Sequence, residues 1–277
     1  MNSSIDLTDD EFTAISSLVY EKAGINLHAG KKELVRARLA GIIRSENFGT
    51  FGNFFKHTIR DETGNELVRL LDAVSTNLTH FFREPEHFSF MAGTFLPEIL
   101  SSKTNGRPRS LRIWSAGCST GEEPYSIAMT LLDQLPSINS MDVKILATDL
   151  SSQVVRIASR GVYKDDKVSG VAPENLRKYF KKGHGSAKGS YLVKDKVKRL
   201  ISFRRLNLID LFPFNGPFDL IFCRNVMIYF DKDIQQNLVG RFYNILRRQG
   251  YLFIGHSESL SLTNNDFHYT RPTIYRK

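Results

Sequence analysis

Apolar residues recur at helical spacing through the first quarter of the chain, then condense into short continuous apolar runs separated by helical stretches. Thr8-Asp9-Asp10-Glu11 reads as a capping box, with Phe12, Ile15, Leu18 and Val19 following on one face and Gly24 as the stop. Over 31–44, Val35, Leu39 and Ile42 form a second stripe. Thr50 ahead of Phe51, Phe54 and Phe55, and Asn65 ahead of Leu67, Val68, Leu71 and Val74, predict two more helices. Together they predict an N-terminal all-α domain over 1–75. Residues 76–108 read as a linker and connecting helix: a helix over 86–100 leads into the polar stretch 101–108, taken as the domain boundary.

From 109 to 277 the pattern changes. Strands are predicted at 111–115, 143–147, 218–223, 250–255 and 267–276, and helices at 125–135, 153–160 and 233–248. Continuous apolar strands alternating with helices specify an α/β fold, a doubly wound, mostly parallel sheet covered on both faces. The stretch 163–204 breaks this rhythm. A helix over 174–180, the turn Gly183-His184-Gly185-Ser186, and alternating residues through 191–193 and 197–203 predict a small inserted antiparallel β element lying on the sheet.

The run Leu111-Arg112-Ile113-Trp114-Ser115-Ala116-Gly117-Cys118-Ser119-Thr120-Gly121-Glu122-Glu123-Pro124 is a strand, a tight loop and a helix start. Gly117 and Gly121 permit sharp turns and close approach to a ligand, and the first helical turn accepts Pro124 and offers unpaired amides. In open parallel sheets ligands bind beyond the carboxyl ends of the strands, where Asp149 could accept both hydroxyls of a ribose. An adenosine-containing cofactor follows. Glu122 and Glu123 would repel a dinucleotide pyrophosphate but suit the ammonium of S-adenosylmethionine, which favours a methyltransferase over a dehydrogenase. Either carboxylate could be the ammonium partner.

Composition narrows the class. At 277 residues and 41% hydrophobic content the chain can bury a substantial core. Its first residues carry acids and no apolar run, and no stretch is long and apolar enough to cross a bilayer, so a cytoplasmic protein is expected. Two cysteines, Cys118 and Cys223, suit reduced thiols, and no His/Cys spacing suggests a metal site. The net charge of +9 predicts an acidic partner. Lys31 and Arg38 on one flank of the 31–44 stripe, with Lys32 and Arg36 on the other, make a docking face for an acidic helix or a core helix whose basic side chains reach water.

Three motifs in order, Asn77-Leu78-Thr79 with Phe81-Phe82-Arg83-Glu84, then 116–126, then Phe222-Cys223-Arg224-Asn225-Val226-Met227-Ile228-Tyr229-Phe230, resemble the chemotaxis-receptor glutamate methyltransferases of the CheR type. The resemblance implies a Rossmann-like class I methyltransferase. Its S-adenosylmethionine would methylate glutamates on cytoplasmic chemoreceptor helices, leaving S-adenosylhomocysteine. It implies that Asn77, Thr79 and Arg83 meet the cofactor or the substrate carboxylate, that the Gly117–Gly121 loop with Glu122 or Glu123 holds the methionyl part, and that Asp149 holds the ribose. Asn207 and Leu208 would frame the adenine, with Arg224, Asn225 and Tyr229 at the reactive end. A receptor tail could dock on the 163–204 insert. A glutamate carboxylate is ionised near neutral pH, so the reaction needs alignment rather than a general base, and Arg83 with Tyr229 could orient it. The alternatives are a nucleic-acid methyltransferase, which the charge permits though no base-holding or base-stacking motif is evident, and a non-catalytic cofactor-binding adaptor.

Overall fold

The computed structural model describes residues 6–75, 77–101, 110–260 and 265–277. Most of the polar linker read at 101–108 therefore lies outside the described residues. Four helices come first: α1 (Asp9–Ala23), α2 (Lys32–Ser45), α3 (Phe51–Arg60) and α4 (Asn65–Val74). The capping box forms as expected, Thr8 Oγ1 accepting from the Glu11 amide while the Glu11 carboxylate accepts from the Thr8 amide. Thr50 caps α3, but Asn65 lies inside α4, whose cap position is Gly64. Leu7, Ile15, Val19, Val35, Leu39, Ile43, Phe51, Phe54 and Leu70 close an apolar core of their own, against which Leu150 and Tyr229 from the rest of the chain also pack.

The connecting helix begins a residue earlier than read, as α5 (Pro85–Phe90), widens into a π-helical turn over Met91–Phe95, and resumes as α6 (Leu96–Ser101). Beyond it come β1 (Ser110–Ala116), α7 (Glu122–Gln134), β2 (Asp142–Asp149) and α8 (Ser152–Arg160). The insert holds β3 (Val162–Lys164), α9 (Asp165–Val168), α10 (Pro173–Tyr179), β4 (Phe180–Lys182), β5 (Ser190–Val193) and α11 (Asp195–Lys198). The chain closes with β6 (Ile201–Arg205), β7 (Phe218–Cys223), α12 (Lys232–Ile245), β8 (Leu246–Ile254), β9 (His268–Arg271) and β10 (Ile274–Arg276).

The main sheet runs β6-β2-β1-β7-β8-β10-β9. It is parallel from β6 to β8, with β1 paired to β2 from Ser110 opposite Asp142 to Ala116 opposite Thr148. Side chains alternate along β1. Leu111 and Ile113 join the core under α7 and the insert, while Trp114 and Ala116 face the core under α12. Two expectations are corrected here. The alternation at 197–203 belongs to no insert hairpin: 195–198 is helical, and β6 is the parallel edge strand beside β2, leaving β3-β5-β4 as a separate antiparallel sheet. The single strand read at 267–276 is a hairpin that turns at Pro272 and Thr273, the latter at φ 63°. Among the described residues no helix is long and apolar enough to cross a membrane.

Candidate active site

A cleft of about 1240 Å³, its open mouth included, lies where the helical unit meets the carboxyl ends of β1, β2 and β7. Asn77, Thr79, Arg83, Gly117, Glu123, Asp149, Asn207, Leu208, Arg224, Asn225 and Tyr229 line it, so eleven expected site residues, far apart in sequence, share one cavity.

The floor is the loop after β1. Gly117 sits at φ 85°, and a Cβ there would stand 2.3 Å from Val226 Cγ2, so only glycine allows the β1 and β7 loops to meet. Ser119, at φ 49°, donates its amide to Asp149 Oδ2 (2.8 Å) and its hydroxyl to the Asn77 carbonyl (2.9 Å), which ties three cleft segments together. Asp149 also accepts from the Ser151 amide (3.0 Å). Burial raises its pKa, while these amides pull it down.

Gly121 and Glu122 do not reach the cleft. Gly121, at φ 99°, leaves the space that Ala158 and the Tyr163 hydroxyl fill, 2.8 and 2.9 Å from where a Cβ would be. Glu122 is fully enclosed. Its Oε2 accepts from Thr120 Oγ1 (2.6 Å), its Oε1 has no hydrogen-bond partner, and burial pushes its pKa up. Of the two carboxylates, only Glu123 faces the cleft.

Arg224 lines the cleft with a side chain that is itself enclosed. Its side chain is 2% exposed and brackets two carboxylates, Glu123 at 3.2 Å and Glu84 at 3.1 Å, while donating to the Arg83 carbonyl. Ser115 Oγ donates to the other Glu123 oxygen (2.7 Å). Burial pushes both carboxyls up; for Glu84 the Arg224 guanidinium and the His256 amide outweigh it and hold the pKa below the usual range, whereas Glu123 stays above. Arg83 itself gives one N–H to the Leu78 carbonyl (3.2 Å) and keeps further donors for a ligand. Asn207 doubles as a turn residue, its amide donating to the Lys22 carbonyl (2.8 Å) and to Asp210.

Two family models match the two parts of the chain. That of the CheR methyltransferase all-alpha domain matches residues 10–75, and that of the CheR methyltransferase SAM binding domain matches residues 77–276. The chain belongs to the CheR methyltransferase family. A chemotaxis protein methyltransferase of Borreliella burgdorferi is 41% identical over 281 residues, covering 100% of this chain and 97% of that protein. One from Escherichia coli is 37% identical over 276 residues, covering 99% and 93% of the two chains. Chemotaxis protein methyltransferase 2 of Pseudomonas aeruginosa is 37% identical over 275 residues, covering 99% and 95%. Membership of the CheR family makes the chain an S-adenosylmethionine-dependent methyltransferase.

Two contributors to the CheR-type site were not anticipated. His80 lines the cleft, and burial together with the Arg83 and Arg224 guanidiniums lowers its pKa, so its imidazole is neutral at neutral pH. Glu258 accepts from the amides of Asn225 (2.9 Å), Val226 (2.9 Å) and Ile228 (3.3 Å) as well as Gly255, and thereby shapes the loop that presents Asn225 and Tyr229. Asn225, Ser119, Phe82 and Glu84 all have positive φ, which concentrates backbone strain around the cleft.

Proposed function

We propose that the chain transfers a methyl group from S-adenosylmethionine to glutamate side chains on the cytoplasmic helices of chemoreceptors, forming methyl esters. The carrying observation is that Glu123, Asp149, Arg83 and Tyr229 line one cavity. The donor set fits the cofactor: Glu123 complements an ammonium, and Asp149, fixed by two backbone amides, has lone pairs left for a ribose diol. Asn207 and Leu208 bound the cavity where an adenine would lie, and Asn77 and Thr79 line it from the linker side. The sulfonium of the bound cofactor supplies the electrophilic methyl.

The protein's share is alignment. A target glutamate enters as a carboxylate and loses charge as the ester forms, so Arg83 and the Tyr229 hydroxyl serve best by orienting it without holding the anion tightly. Lys31 lines the cleft and adds positive charge at the approach. Arg38, by contrast, turns inward to the carbonyls of Val74 and Ser75, while Lys32 pairs with Asp9 (2.7 Å) and Arg36 with Glu33 (2.8 Å). Of the proposed basic docking face, Lys31 is therefore best placed to meet a receptor helix. The small antiparallel sheet, with exposed Val162 and Leu192 opposite each other on β3 and β5, supports docking of a receptor tail on the insert.

The test is transfer of label from methyl-labelled cofactor to receptor, free nucleic acid or buffer alone. Base-labile label on the receptor supports the proposal. Label on nucleic acid would replace it, and binding of S-adenosylhomocysteine without any transfer would point to an adaptor.

A further inference from the structure

The inserted antiparallel sheet reaches back to the cofactor loop through one side chain. Tyr163, the central residue of β3, is 4% exposed, and its hydroxyl donates to the Thr120 carbonyl at 2.7 Å. The contact is built from both sides. Gly121 leaves the opening that this hydroxyl occupies, and a Cβ there would lie 2.9 Å from it. Around the ring, Phe81 packs edge-on at 4.9 Å and Tyr125 at 6.1 Å, and backbone pairing with Tyr191 of β5 fixes the strand beneath. Phe81 belongs to the linker that carries Thr79 and Arg83, so the same ring packs against the segment from which those two cleft residues come.

Thr120 lies between the two residues the loop must place. Its neighbour Ser119 sits at φ 49° with its amide on Asp149, and Gly121 at φ 99° starts α7, whose first turn carries Glu123. A non-glycine residue at positive φ persists only where its surroundings over-determine it. The Thr120 carbonyl is held from outside the loop by Tyr163, so rotation of this peptide would cost that bond. Burial, with the nearby Glu122 carboxylate adding to it, pushes the phenol pKa well up, so the hydroxyl remains a donor across the physiological range.

Resting on the cofactor reading above, we infer that Tyr163 is a positioning residue of the methyl-transfer site, through which the inserted sheet fixes the loop that presents the Ser119 amide to Asp149 and aims Glu123. The insert then supports the cofactor site as well as offering a docking surface.

The experiment compares wild type, Tyr163→Phe, and a protein with 3-fluorotyrosine at position 163, which keeps the hydroxyl. Calorimetric affinity for S-adenosylhomocysteine, KM and kcat with labelled cofactor and receptor, and thermal midpoint are measured for each. Tyr163→Phe is expected to weaken product affinity about five- to tenfold, the scale of one hydrogen bond. Its KM for the cofactor rises more than kcat falls, its midpoint stays close to that of wild type, and the fluorotyrosine protein retains native affinity. Native affinity in Tyr163→Phe overturns the inference, as does an equal loss in the fluorotyrosine protein. Global unfolding of Tyr163→Phe overturns it too, since the hydroxyl would then be a tie of the whole fold. Wild type that binds no S-adenosylhomocysteine would instead remove the cofactor reading itself.

Discussion

Replacing Arg224 with alanine removes the one guanidinium between two enclosed carboxylates. Glu84 and Glu123 have side chains 9% and 13% exposed, and Arg224 also lies over the Phe88 ring at 5.9 Å. Stripping one partner from a buried ion pair costs about 3–5 kcal/mol, chiefly because the remaining charge has no counterion. At roughly 2–4 °C per kcal/mol for chains near this size, the thermal midpoint should fall on the order of 10 °C. The pH dependence is more diagnostic. In wild type, Glu84 has a folded pKa below its unfolded value, so it contributes stability above the usual carboxylate range that is lost as pH falls through the folded value. Glu123 has a raised folded pKa, so its charge is a cost at neutral pH that protonation relieves. Without Arg224 both carboxyls shift up, and the variant regains stability on acidification while wild type gains less. Urea unfolding of both proteins at about pH 7.5 and about pH 5.5 should show the gap between them narrowing. A gap under about 1 kcal/mol at the higher pH, or one that widens on acidification, would refute the bracket as an energetic unit.

Asp149→Ala should weaken S-adenosylhomocysteine by about 1.5–3 kcal/mol in calorimetry, the range for hydrogen bonds to a charged group; unchanged affinity in folded protein removes Asp149 from the ribose. Arg83→Ala should cut turnover on receptor at least about tenfold, or 1.4 kcal/mol, with a thermal midpoint near that of wild type, since its bond to the Leu78 carbonyl is exposed. Arg38→Ala should destabilise by about 1.5–3 kcal/mol because it frees the Val74 and Ser75 carbonyls. Lys31→Glu should leave stability unchanged and instead slow receptor methylation while flattening its salt dependence; equal rates and salt slopes would move docking away from this helix.

What the sequence allowed one to read followed the reach of its signals. Short-range chemistry was legible: the Thr8–Glu11 box, the Gly117 turn and the residue ending β2 each depend on neighbours a few positions away. Glu122 and Glu123 were not separable, because successive helical residues diverge by about 100° and the direction of each depends on how the chain leaves Gly121. Arg38 reads from its own helix as a docking base or one that reaches water, whereas the carbonyl it meets lies at the end of α4, 36 residues on. Glu258 accepts locally from the Gly255 amide, but the three amides that tie it to the 225–228 loop lie some 30 residues upstream, beyond the reach of any spacing signal. The alternation over 197–203 does not say where a strand begins or which sheet it joins: 195–198 is helical, and the edge of β2 took 201–205. The hairpin at 268–276 did have a local flag in Pro272, which cannot continue a central strand.

The helical unit and the sheet are sewn together by hydrogen bonds around the cleft: the Tyr20 hydroxyl donates to Asp231 at the start of α12, the Asn207 side chain to the Lys22 carbonyl, and the Asn26 backbone N–H to the Tyr229 carbonyl (2.8 Å). Each half has its own apolar core, and Leu150 and Tyr229 of the sheet half pack onto that of the helices, so a chimaera that joins the helices of one relative to the sheet of another must match at these contacts. The seam between them is where such a hybrid would fail. The stitches end on the same loops that carry Tyr229 and Asn207, so a poor match would misplace the wall of the cavity and, through Tyr229, the edge of the helical core that it covers. Modular exchange in this architecture therefore has to move the loops after β6 and β7 together with the helices.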